Sequence, residues 1–239
     1  MAHTSGEPRI EAPPTRLVLA SASPRRQELL ARLDCPFECI PAHVDETIAR
    51  DWTPREAVER LAVRKASCVH EDPAVATGAG RVVLGADTLV VVGDPDDSAA
   101  RILGKPRDVA EARAMLGELS NRPHIVLTAL ALIRPGVEAE TAVDVTEVTF
   151  RALDAAQIDA YVCTGEPLDK AGAYGIQGAA RSFVAGIEGC FFNVVGFPLG
   201  RAAALLGELC GPAAEPCDCA THPLQRGAAD CSASVRRRR

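Results

Sequence analysis

With 239 residues, the chain has the length of one large domain or of two lobes sharing a sheet. Hydrophobic residues make up 47% and charged residues 24%, which excludes global disorder. A net charge of −6 and an aromatic share of 4% offer neither a basic footprint nor a stacking platform for nucleic acid. No run of about 18 apolar residues can cross a bilayer, and the opening MAHTSGEPRIEAPPTR does not read as a secretory signal. A cytoplasmic protein that engages neither nucleic acid nor membrane is the expectation.

Residues 1–15 read as a flexible polar leader, 16–210 as the folded domain and 211–239 as a tail. In chain order, residues 17–20 form a short apolar strand. Ser23 then suits an N-cap and Pro24 the first helical position, with Leu29, Leu30 and Leu33 as the buried stripe. Thr53-Pro54-Arg55-Glu56 is a capping box that opens a helix to about residue 70. The β-branched run 81–92 reads as a central strand buried on both faces. A helix over 108–120, strands over 124–133 and 142–150, and a helix over 154–163, capped by Asp154-Ala155-Ala156-Gln157, follow. A short strand over 191–195 and a closing helix over 199–210 end the domain. Such alternation predicts an α/β fold, a mixed twisted sheet flanked by helices.

Nine cysteines are present. Cys35, Cys39, Cys68, Cys163 and Cys190 stand singly, mostly among apolar neighbours, and read as small core fillers in a reducing compartment. Cys210, Cys217, Cys219 and Cys231 accompany His222 in a spacing that matches no standard zinc motif, so a disordered, metal-free tail is preferred to a zinc site.

Four segments break the pattern of an ordinary α/β domain. In Ser21-Ala22-Ser23-Pro24-Arg25-Arg26 a strand runs straight into a helix start, where backbone N–H groups, hydroxyls and two guanidinium forks suit phosphate oxygens. A capped surface helix with two solvated arginines is the plainer reading. In Gly85-Ala86-Asp87-Thr88 a carboxylate interrupts the apolar run and calls for a metal, a cation or a reacting proton as partner. The alternative is a strand that stops at Ala86, with Asp87 capping a turn. Leu103-Gly104-Lys105-Pro106 sets a lysine beside a rigid proline. The segment from Asp169 to Gly178 combines three glycines with an acid, a base, a phenol and an amide, or is a glycine-rich connector with incidental polar groups.

Only three of the 26 basic residues are lysines: Lys65, Lys105 and Lys170. A compact ammonium is not replaceable by a guanidinium fork where it must reach a phosphate, so these three are candidate site residues unless codon usage scattered them. Glu46 and Asp87 are the natural ligands for a divalent cation that neutralises a polyphosphate, while Asp45 reads equally as a solvated loop acid.

LVLASASPRR, VDET, GADT, LGKP and GEPLDKAGAYGIQG followed by NVVGFPL occur in an order and spacing that resemble the Maf family of nucleoside triphosphate pyrophosphatases, over about residues 16–210. The resemblance implies a Maf/ITPase-like fold of two lobes with a central cleft, and a homodimer. It also implies hydrolysis of a nucleoside triphosphate to the monophosphate and pyrophosphate with a divalent metal, Mg or Mn. Asp87 matches the family's proton acceptor. Arg25, Thr88 and Gln177 match positions that separate substrate subclasses, here of the dTTP/UTP type, and Ser21, Arg26, Glu46, Lys65, Lys105 and Lys170 match polar cleft positions. The chain departs from the family pattern at Asn121, which replaces a glycine, at Pro123, and in an expanded loop over 93–101. A non-catalytic nucleotide-binding regulator of cell division, or the same chemistry on a modified purine, are the alternatives.

Overall fold

In the computed structural model, residues 16–76, 80–210, 222–226 and 236–237 are described. The leader and Cys217, Cys219 and Cys231 lie outside them. The first strand, β1 (Leu17–Ala20), leads into α1 (Pro24–Ala31), β2 (Phe37–Cys39), α2 (Pro54–His70) and the single turn α3 (Pro73–Ala76). Then come β3 (Val82–Val92), β4 (Arg101–Leu103), α4 (Val109–Leu119), β5 (Pro123–Ile133), β6 (Glu140–Phe150) and α5 (Ala155–Val162). After a 3₁₀-rich stretch, β7 (Val184–Glu188), α6 (Phe191–Val195), α7 (Leu199–Leu206) and β8 (Arg236–Arg237) complete the fold.

One mixed sheet runs β2-β1-β3-β5-β6-β7, with β4 on β3 and β8 on β6. Strands β1 and β2, and β1 and β3, are parallel, whereas β5, β6 and β7 continue antiparallel. The sheet separates two cores. On one side, Ala57, Val58, Ala62, Ala66 and Val69 of α2 meet Val83, Leu89 and Val91. On the other, α1, α4, α5 and α7 cover Leu84, Ala86, Val90 and Leu130. Burial on both faces explains why β3 reads as an unbroken apolar run. Both expected capping boxes form, Thr53 with Glu56 and Asp154 with Gln157.

Residues 191–195 were expected as a strand and form a helix instead. Their β-branched and aromatic composition favours a strand locally. Tertiary bonds override it: the buried Asn193 side chain donates to Val126 O at 2.9 Å and to Thr146 Oγ1 at 2.8 Å, and Gly196 ends the turn at φ 109°. The strand beside β6 is β7, ahead of that segment. The closing helix stops at Leu206 and continues as a 3₁₀ turn, Gly207–Leu209.

The cysteine expectation also needs correction: Cys190 is a buried core filler, but Cys39, Cys68 and Cys163 are exposed. Cys35 and Cys210 are joined in a disulfide, with Cα atoms 4.8 Å apart across 175 residues of sequence. Helix α7 packs back on α1 and brings Cys210 to Cys35, which no local pattern reveals. Closing so long a loop is worth on the order of 5 kcal/mol in the chain-entropy model. Cys35→Ser is therefore expected to lower the thermal midpoint in the absence of reductant, and peptide mapping without reductant should recover the 35–210 crosslink. His222 stacks on Phe191, with ring centroids 3.8 Å apart. Asn121 takes φ 57°, the left-handed conformation that asparagine tolerates better than most residues, and so keeps the turn a glycine would make.

Candidate active site

The sheet itself opens the site. Strand β1 pairs with β3 only as far as Ala20 opposite Gly85, and β4 joins the same edge only at Val90. Between them, residues 86–89 border a gap, into which the turn after β1 delivers Ser21 and the start of α1. A cavity of about 860 Å³ fills this gap. Strand β3 runs uninterrupted through Asp87, so the turn alternative for that residue is excluded.

All ten candidates read from the sequence, Ser21, Arg25, Arg26, Glu46, Lys65, Asp87, Thr88, Lys105, Lys170 and Gln177, line this one cavity. All three lysines are among them. Alternation along β3 divides the work: Asp87 faces α2 while Thr88 faces α1. Helix α2 approaches so closely that a Cβ at Gly85 would collide with Ala62 O and lie 2.9 Å from Ala66 Cβ. That approach brings Lys65, three positions after Ala62, over Asp87. Lys65 Nζ donates to Asp87 Oδ1 at 2.6 Å and to Glu46 Oε1 at 2.7 Å, one ammonium between two carboxylates.

The two acids are pushed apart by their surroundings. Burial raises the Asp87 carboxyl above the usual range, against the pull of Lys65 and Arg26 and with some help from Glu46. Burial also raises Glu46, but its hydrogen bond to Lys65 and the charges of Lys65, Lys105 and Arg26 outweigh this and leave it lowered. Two carboxylates whose surroundings push their pKa values apart are the pattern of an acid–base site.

Arg26 is bound inward. Its Nε donates to Gly196 O at 3.0 Å, Nη1 to Ala86 O at 2.8 Å and Nη2 to Thr88 Oγ1 at 3.1 Å. It thereby spans the open edge of β3 and ties the end of α6 to it. Thr88 Oγ1 meets Thr128 Oγ1 at 3.0 Å, and Thr128 donates to Asn193 O at 2.9 Å. Ser23 occupies the N-cap of α1 but makes no side-chain capping bond, and its own N–H donates to Ser21 Oγ at 3.2 Å. Lys170 Nζ donates to Glu166 O at 2.7 Å and to Asp169 Oδ1 at 2.6 Å. Lys105 and Gln177 are both exposed.

Residues 16–209 match the model of the Maf-like protein family. The chain belongs to that family. A dTTP/UTP pyrophosphatase of Moorella thermoacetica is 52% identical over 195 residues, covering 80% of this chain and 94% of that protein. Its counterpart in Symbiobacterium thermophilum is 50% identical over 193 residues, covering 81% and 93%, and that of Myxococcus xanthus 50% over 197 residues, covering 82% and 94%. Among solved structures, the Staphylococcus aureus Ham1 protein overlaps at a TM-score of 0.37 and 19% identity, covering 57% of this chain and 72% of that one.

The Maf-like cavity also has walls that the sequence reading missed: Val194, Val195 and Gly196 of the misread segment, and Glu166. The phenol of the glycine-rich segment, Tyr174, lines it as well. Tyr174 is buried and its hydroxyl meets His124 Nε2 at 2.8 Å. Burial pushes His124 down to about 4, so the ring is neutral near pH 7. The signal for Glu166 is confined to its place before Pro167 in the glycine-rich motif.

No cluster of three or more His, Cys, Asp or Glu residues suited to a metal occurs among the described residues. Two carboxylates do reach the cavity, and Mg²⁺ commonly takes only one or two from the protein and the rest from phosphate and water. Glu46 and Asp87 fit that requirement. No helix of the described residues is long and apolar enough to cross a membrane.

Proposed function

We propose that this Maf-like protein hydrolyses nucleoside triphosphates, dTTP and UTP foremost, to the nucleoside monophosphate and pyrophosphate. The supporting observation is a buried carboxylate with a raised pKa, Asp87, on a cavity that also receives Lys65, Lys105, Lys170 and Arg25. An acidic molecule gathering all of its lysines at one hollow suits an anion with several charges.

In this reading the triphosphate lies along Lys105, Lys170, Arg25 and the start of α1, whose first-turn N–H groups and dipole favour phosphate oxygens. A water positioned against Asp87 attacks the α-phosphorus and gives its proton to the carboxylate. The bond from the α-phosphorus to the bridging oxygen breaks, and pyrophosphate leaves with the electron pair. Charge grows on the leaving and non-bridging oxygens, so fixed cations contribute most of the rate, by positioning and electrostatic stabilisation. Glu46 and Asp87 would hold a divalent cation, Mg or Mn, which when bound would neutralise phosphate charge. Thr88, fixed by Arg26 and Thr128, and Gln177 would face the base. A cytoplasmic setting and a homodimer belong to the same reading.

Incubating the purified protein with dTTP, UTP and ITP and Mg²⁺ or Mn²⁺ tests the reading. Equimolar monophosphate and pyrophosphate are expected, with dTTP and UTP consumed fastest. Tight binding without product would replace the enzyme by a nucleotide-binding regulator, and preference for ITP would overturn the base assignment.

A further inference from the structure

The stretch that presents Lys170 and Gln177 contains nothing more regular than two 3₁₀ turns, Glu166–Asp169 and Ala171–Ala173. Ligand groups on such a stretch need outside support to be held within about 0.5 Å. The support converges on two side chains. Tyr161, in the last turn of α5, is 3% exposed. Its hydroxyl donates to Glu166 Oε1 at 3.1 Å and accepts from Gly175 N at 3.1 Å. The second carboxylate oxygen, Glu166 Oε2, accepts from Ala179 N at 3.3 Å, and Glu166 O accepts from Lys170 Nζ.

Both flanks of Gln177, at Gly175 and Ala179, therefore hang on one tyrosine–glutamate pair, while the Lys170 ammonium is held by the main-chain carbonyl of Glu166 and by Asp169 Oδ1. The backbone closes tightly on the carboxylate. A Cβ at Gly178 would collide with all three carboxyl atoms of Glu166, and one at Gly175 would come within 2.9 Å of Glu166 Oε1. Burial raises the Tyr161 phenol, so it remains a proton donor throughout the neutral range.

We propose that Tyr161 and Glu166 are positioning residues, a clasp that fixes Gln177 and Lys170 and so sets both affinity for the triphosphate and discrimination between bases. The affinity part rests on the substrate reading above; the clasp itself does not. Neither residue bonds to Asp87 on β3, whose charged neighbours are Lys65, Arg26 and Glu46, and neither takes part in the proton transfer there.

Tyr161→Phe isolates the hydroxyl, because the ring can keep its edge-to-face contact with Phe183, 5.2 Å between centroids. Two measurements are made on the full chain. Amide hydrogen exchange over 172–180 should speed up while α2 and β3 stay as in the wild type. With dTTP, KM should rise about tenfold, the scale of one lost hydrogen bond to a charged group, with kcat within about twofold, and the preference for dTTP over ITP should shrink. Glu166→Gln, which keeps the acceptor for Tyr161 but sets an amide group against Ala179 N, should show the same changes in weaker form.

A purely structural role would lower the thermal midpoint and kcat together and leave KM where it was, and that pattern overturns the clasp. Unchanged exchange with unchanged KM overturns it as well. Should the wild type release no pyrophosphate from any triphosphate, the substrate reading falls, and the exchange measurement still decides whether the clasp exists.

Discussion

Asp87→Asn is expected to lower turnover of dTTP by two orders of magnitude or more, the usual scale for removal of a general base, with the fold intact. Asparagine keeps the shape and an acceptor for Lys65, but it cannot take a proton from water. Its effect on stability has a definite sign. Asp87 has a folded-state pKa raised by burial, so the folded chain holds that proton more tightly than the unfolded one, and ionisation costs stability as pH rises through the interval between the two values. Asparagine never ionises and escapes that cost. At neutral pH the variant should melt no lower than the wild type, while Glu46 continues to pair with Lys65. Near-normal turnover, or a large fall in the melting temperature, would remove Asp87 from its assigned role. In the wild type the active form is the ionised carboxylate, so the rate should fall as pH drops through the Asp87 pKa, above the ordinary carboxylate range of about 4.

The parts of this molecule that are legible in its sequence are those set by short-range chemistry. Thr53 with Glu56 and Asp154 with Gln157 announce helix starts because both partners of each capping box lie within one turn. The run 82–92 announces a buried central strand because burial on both faces suppresses polar alternation. The candidate site could be assembled because its members carry costs or oddities visible one at a time: a carboxylate inside an apolar strand, and three lysines in a chain that otherwise writes its positive charge as arginine. What stayed hidden depends on distant partners. Phe191–Val195 is helical because Asn193 finds Val126 and Thr146 about 50 to 70 residues away. Cys35 meets Cys210 only because α7 folds onto α1. Arg26, which reads as a phosphate ligand, directs three of its donors to Gly196, Ala86 and Thr88. In that geometry it braces the pocket edge from within.

Lys65→Met should lower kcat/KM for dTTP by roughly two orders of magnitude, and the accompanying change in pH dependence is more diagnostic than the loss. The lysine contributes to Asp87 by favouring its ionised form, against burial and the neighbouring Glu46 charge. Taking it away leaves both opposing influences in place, so the Asp87 pKa must climb further. The acid limb of the kcat/KM profile should move to higher pH, and part of the lost rate should return as pH is raised. Glu46→Gln removes a charge that raises Asp87, so its acid limb should move the other way, to lower pH. Lys65→Arg should not restore the wild-type profile, because a planar fork cannot occupy the point that lies 2.6 Å and 2.7 Å from two separate carboxylates. If Lys65 served only to attract phosphate, Lys65→Met would raise KM and leave the acid limb where the wild type has it. The opposed shifts of the Lys65 and Glu46 variants therefore distinguish a lysine that tunes the base from one that merely holds the substrate.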